Sequence, residues 1–140
     1  MTLEEEKVLE ANKNFYRALQ SLSLEEMESV WLTEEWVRCL HPGWDLLEGW
    51  EAVRESWQQI FENTKFLRVS VGLQFVRVEK NFAWVCCTEK ISSATEGRFE
   101  TSYVQATNIF WEHNGAWYLV HHHGSHLPAP WSKETAEIVQ

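Results

Sequence analysis

No stretch of about 18 consecutive apolar residues occurs in the chain, so nothing in it is built to span a bilayer as a helix. The first residues, Met1-Thr-Leu-Glu-Glu-Glu-Lys7, lack the basic and apolar regions of a secretory signal. Cationic residues are scarce: 12 Lys and Arg face 21 Asp and Glu, a net charge of −9. Nucleic acids and anionic membrane surfaces need clustered Lys and Arg, so neither is expected as a partner. The three cysteines have no CxxC or zinc-ligand spacing. Cys86 and Cys87 are neighbours on opposite faces of an expected strand and Cys39 stands apart, which reads as three free buried thiols. No repeat, linker or low-complexity block divides the chain. What remains is one cytoplasmic domain over residues 1–126 with a tail over 127–140, needing no metal and no cofactor.

Aromatic residues are what the chain has in surplus, with nine Trp among its 140 residues. Large rings line cores and ligand clefts alike, so the surplus favours a cavity-walled fold. The strongest local signal is Asn114-Gly115, two residues that tolerate positive φ, flanked by aromatic and β-branched runs. It predicts a long hairpin ending in His121-His-His123. With a side-chain period of two, His121 and His123 share a face with Trp117 and Leu119, and His122 points the other way, to pack against a helix or a partner.

Val8, Ala11, Phe15 and Leu19 recur at three- and four-residue steps, which predicts a helix over 3–20, with a capping box at Thr2 and Glu5. Ser23 with Glu26 opens a second, short helix. Residues 35–40 alternate as a short strand that runs into a tight turn, His41-Pro-Gly-Trp44, and 45–48 form a connector. Trp50, Val53, Trp57, Ile60 and Phe61 mark a third helix over 50–63. Residues 66–79 alternate and then slip phase at Val76, which indicates a bulge that bends the sheet. A central strand over 82–91, a polar loop over 92–97, a strand over 98–111 and the hairpin complete a four-strand meander. A segment from Trp131 is either frayed or a short helix. The order predicts an α+β domain with a curved antiparallel sheet.

Several residues could carry chemistry, and each has a plainer role beside it. His41 sits at the expected mouth, either as a general base or as a ring that holds its turn by a hydrogen bond. His121 and His123 could contact a ligand, or a metal if His41 joined them, or serve structure and dimerisation. Glu89 becomes an acid or base with a raised pKa if buried, and is a solvated carboxylate if it lies at the strand end. Trp44, Trp57, Trp84 and Tyr103 are either pocket walls or ordinary core.

Taken together, His41-Pro-Gly-Trp44, Gly49-Trp-Glu-Ala-Val53, Ser56-Trp57, Ala83-Trp-Val85, Ala106-Thr-Asn-Ile-Phe110, Asn114-Gly-Ala-Trp117 and His121-His-His-Gly-Ser125 resemble the SnoaL-like branch of the nuclear transport factor 2-like superfamily. The hairpin is also similar to the end of the association domain of calcium/calmodulin-dependent kinase II. Where that domain has pocket arginines, this chain has Glu100 with only Arg98 nearby, so carboxylate binding is not carried over. The resemblance implies a cone of three helices on a strongly curved, mixed but mostly antiparallel sheet, pairing through the sheet as a homodimer. It also implies a pocket for a small apolar or aromatic organic ligand. Any catalysis there would be cofactor-independent acid/base chemistry of isomerase, dehydratase or cyclase type, with His41 as base and Tyr103 or His123 polarising an oxygen. Trp44, Trp57, Trp84, Glu89 and His121 would contact the ligand. The other reading is a non-catalytic assembly or regulatory module.

Overall fold

The protein was analysed as a computed structural model, which describes residues 1–128; the segment expected from Trp131 lies outside the described residues. Helix α1 spans Leu3–Ser21 and begins with a complete capping box, in which the Glu5 amide donates to Thr2 Oγ1 and the Thr2 amide to the Glu5 carboxylate. Its buried stripe is Val8, Asn12, Phe15, Tyr16 and Leu19, so two polar residues sit on the face turned to the core. Helix α2, Leu24–Val30, starts where Ser23 Oγ accepts the Glu26 amide. Helix α3, Trp50–Glu62, follows Gly49, whose φ of +89° suits the sharp entry.

The strands are β1 (Arg38–Leu40), β2 (Leu47–Glu48), β3 (Phe66–Glu79), β4 (Phe82–Thr95), β5 (Arg98–His113) and β6 (Ala116–His126). They form one sheet in the order β2-β1-β6-β5-β4-β3, parallel at β1–β6 and antiparallel elsewhere. Three helices on a six-stranded mixed sheet match the α+β architecture expected. Helix α1 lies along β3, and Gln20 Oε1 accepts the Val69 amide of that outer strand at 2.8 Å.

Three boundaries differ from the sequence reading. The first strand begins at Arg38 rather than residue 35, and the 45–48 connector contains β2. The polar stretch 92–95 is strand rather than loop, because Ser92 and Ser93 pair with β3 on one side and β5 on the other. Both ladders satisfy its backbone, so its polarity records thin cover over the side chains.

Two bulges set which side chains face inward. One falls between Gly72 and Phe75, where Leu73 takes φ +50°, and supplies the bend predicted from the phase slip. The other lies on β6: Ile109 pairs with His121 while Phe110 pairs with Leu119, leaving Val120 as the extra residue. Leu119 and Val120 are both buried, and the alternation resumes in opposite phase. His122 and Gly124 therefore face inward with Trp117 and Leu119, while His121 and His123 face outward. This reverses the assignment made from period-two counting, which had no sign of the extra residue.

Gly124 has a steric reason of its own. A Cβ there would lie 3.0 Å from Val104 Cγ1 and 3.1 Å from Pro42 Cγ, so the His41–Trp44 turn rests directly on the β6 backbone. Gly124→Ala should push this turn off the sheet and cost about 1–3 kcal/mol. A thermal melt superimposable on the parent's would show that the turn yields without penalty.

Candidate functional site

The inner face of the sheet and the helices border a cavity of about 340 Å³ lined by Leu19, His41, Pro42, Trp44, Trp57, Ile60, Leu67, Glu89, Ile91, Val104, His122, His126 and neighbouring Ser and Thr side chains. A second depression of about 500 Å³ lies outside it, between α1 and β3, among charged side chains including Glu6, Glu10, Lys13 and Arg17. The smaller cavity is the better candidate, because it joins apolar walls to a few buried ionisable groups.

Its defining group is Glu89. Because β4 continues to Thr95, this residue lies mid-strand, not at a solvated end, and is 3% exposed. Burial pushes its carboxyl up to about 7, opposed by a hydrogen bond from the Tyr16 hydroxyl at 2.5 Å. The same Tyr16 oxygen accepts from Asn108 Nδ2 at 3.0 Å and lies 3.4 Å from Cys87 Sγ. Asn108 Nδ2 also donates to Asn12 Oδ1 at 2.9 Å, and Asn108 Oδ1 lies 2.6 Å from His122 Nδ1. Since an amide oxygen only accepts, His122 carries its proton on Nδ1. Burial, reinforced by the neighbouring His41, His121 and His123, holds the His122 ring well below its ordinary pKa and so neutral.

His41 is buried as well, and burial takes it down to about 4. The Ser56 hydroxyl donates to the Val53 carbonyl at 2.6 Å, so its oxygen receives the His41 Nε2 proton at 2.9 Å. The ring is wedged edge-on between Trp44 and Trp57, with centroids 4.9 and 4.6 Å away. Nε2 thus ties the His41–Trp44 turn to α3, while the same ring lines the cavity. Trp57 also lines the wall, and its indole N–H is buried with no partner among the described residues. The thiols of Cys39 and Cys87 are pushed up by burial, Cys87 to about 12, and stay protonated.

Of the residues singled out from the sequence, His41, Trp44, Trp57 and Glu89 line the cavity. Trp84, Tyr103, His121 and His123 do not. Trp84 pairs with Ile109, Tyr103 with Lys90, and His121 and His123 with Ile109 and Thr107, all on the convex face. His41 and the outer two histidines therefore lie on opposite sides of the sheet and cannot share a metal. Tyr16, Asn12, Asn108 and His122 were missed as site residues. Asn12 and Tyr16 occupy the apolar stripe of α1, and Asn108 falls in phase with Val104, Ala106 and Phe110. A polar side chain at an apolar-phase position was the available signal.

A family model for the SnoaL-like domain matches residues 8–130, nearly the whole chain. The protein belongs to the SnoaL-like domain family. A candidate dehydratase of the NTF2-like family from Streptomyces avermitilis is 34% identical, with a TM-score of 0.85 over 90% of this chain and 97% of that one. A candidate calcium/calmodulin-dependent protein kinase type II association domain from Thiobacillus denitrificans is 26% identical, with a TM-score of 0.69 over 84% and 93%. The F-box protein SKIP8 of Arabidopsis thaliana is 30% identical over 118 residues, covering 84% of this chain and 48% of that protein. The chain thus spans about half the length of that curated relative. Among the described residues no helix is long and apolar enough to cross a membrane.

The raised Glu89 pKa has a consequence for stability. The folded state holds this proton more tightly than the unfolded chain, so the contribution is fully present below about 4.5, declines as pH rises and is lost above about 7. His41 and His122 act oppositely, gaining stability with rising pH, but they are common to both proteins in a comparison with Glu89→Gln. Relative to that variant, the parent should lose roughly 3 kcal/mol between pH 4.5 and 7, at about 1.4 kcal/mol per pH unit. Parallel urea-unfolding profiles for the two proteins would refute a buried, titrating Glu89.

Proposed function

We propose that the cavity binds a small planar organic molecule and moves protons on it without a cofactor. The observation that carries this is Glu89: a carboxyl with a pKa near 7, in a cavity walled by Trp44 and Trp57. At neutral pH it is present in both protonation states, which suits a group that takes and returns a proton in one cycle. His41 sets one wall, and its tethered Nε2 makes it a holder of the mouth more than a base. The similarity to a candidate dehydratase favours loss of water from a hydroxylated carbonyl compound. In that reaction a base removes the hydrogen next to the carbonyl, the C–O bond breaks, and an acid protonates the departing oxygen. A carboxyl beside neutral imidazoles supplies both roles. The protein would work in the cytoplasm, where three free thiols persist.

The domain is also proposed to pair through its convex face. Phe75 is 55% exposed there, beside half-buried Trp84, Cys86, Thr107 and Ile109. The second reading is an interaction module without turnover, favoured by the occurrence of a similar domain within a longer F-box protein.

Incubation with a panel of cyclic β-hydroxy ketones in deuterated water tests the catalytic reading. We expect deuterium at the carbon next to the carbonyl, or release of the enone, with Glu89→Gln slowing either by about 100-fold or more. Exchange unaffected by Glu89→Gln would remove this residue from the chemistry, and no exchange across the panel would favour the interaction module. Sedimentation tests pairing: the parent should be a dimer and Trp84→Glu a folded monomer, whereas a monomeric parent would remove the assembly.

A further inference from the structure

The hydrogen bonds behind the cavity wall run in one direction. His122 Nδ1–H donates to Asn108 Oδ1, Asn108 Nδ2–H to Tyr16 Oη, and Tyr16 O–H to Glu89 Oε2. Every member is buried and both ends, His122 and Glu89, line the same cavity. Like Tyr16, Asn108 accepts at one end and donates at the other. Its orientation is fixed separately, because its second N–H is used by Asn12 Oδ1, and Asn12 Nδ2 reaches Gln74 Oε1. With Nδ1–H consumed, Nε2 of His122 keeps its lone pair, no described protein group bonds to it, and the residue lines the cavity.

We infer that Asn108 is a positioning residue that locks His122 as the proton acceptor of the site, and that the cavity therefore takes an uncharged ligand bringing an acidic proton to Nε2. The inference deepens the acid/base reading by giving acceptance to His122 and donation to Glu89. When Nε2 gains a proton, the imidazolium strengthens its bond to Asn108, which polarises the amide towards Tyr16 and so favours the Glu89 carboxylate. The proton taken by Nε2 and the proton given by Glu89 leave the pair as imidazolium and carboxylate, reset by exchange with solvent after product leaves. The charge of the lining selects in the same sense. Among the described lining residues there is no Lys or Arg to pair with an anion. His41 and His126 are the other titratable rings lining the cavity, His41 with its ring 6.3 Å from that of His122, while His121 and His123 flank His122 on the outer face.

Long-range ¹⁵N spectra of the ligand-free protein read the tautomer directly, independent of any activity. His122 should show a protonated Nδ1 and an unprotonated Nε2 at neutral pH. Asn108→Asp retains the acceptor and should retain this tautomer, whereas Asn108→Leu should release a substantial population protonated on Nε2. A parent protein with the proton on Nε2 overturns the proposal even if neither variant folds, as does Asn108→Leu with the tautomer unchanged. For the ligand, 2-naphthol should shift His122 Nε2 and bind at least about tenfold more tightly than 2-naphthoate. Equal or tighter binding of the naphthoate, or no response of His122 to naphthol, rejects the ligand class. A locked tautomer in a protein without exchange activity would sink the catalytic reading while leaving the role of Asn108 intact.

Discussion

A carboxyl group held inside a protein without a counter-charge governs the inner half of this molecule. Glu89 costs free energy wherever it ionises, and among the described residues the relief comes from the Tyr16 hydroxyl reaching across from α1 to β4. That bond fixes the helix on the sheet at one rotation, because Tyr16 must meet Glu89 while Asn12 meets Asn108. The apolar stripe of α1 would tolerate some sliding, since packing of similar residues is forgiving. The polar contacts would not, because each misplaced buried donor costs about 1–3 kcal/mol. Affinity of the helix for the sheet comes from Val8, Phe15 and Leu19, and its register from the polar pair.

The site inherits its reactivity from the same arrangement. The imidazoles of His41 and His122 are neutral for one reason, burial, yet they are tied down by opposite ring nitrogens, Nε2 to Ser56 and Nδ1 to Asn108. One ring is thereby committed to the turn and the other left open to the cavity. Identity of residue type did not distinguish them; the partner of each nitrogen did. Membership of the SnoaL-like family fixes the cone and leaves the chemistry to such local bonds, which is why fold alone says little about reaction.

Much of the architecture could be read from residue spacing: the capping box at Thr2, the three helices, the long antiparallel strands and the Asn114-Gly115 turn. Four cavity residues, His41, Trp44, Trp57 and Glu89, were also within reach, because turn chemistry and strand position bring them to the inner face. The failures have physical causes. Trp84 and Tyr103 were placed by size and aromaticity, and those properties do not say which face of a two-sided strand a ring occupies. The polar stretch after Ile91 was mistaken for a loop because polarity and exposure look alike in sequence. The Asn12–Tyr16–Asn108 group was overlooked because each residue is unremarkable alone and acquires meaning only across nearly 100 positions.

The extra residue at Val120 gives the hairpin an unusual leverage. Three consecutive histidines follow it, and period-two alternation means that either the middle one or the outer two face the ligand. Were the bulge to lie beyond His123 with every residue kept, the uninterrupted phase would turn His121 and His123 towards the cavity and His122 out. Such a shift of register, altering no residue, would thus exchange a one-imidazole wall for a two-imidazole wall. Divergence of pocket chemistry among proteins of this shape has a route through the placement of the β6 bulge that substitution at the pocket positions themselves would not reveal.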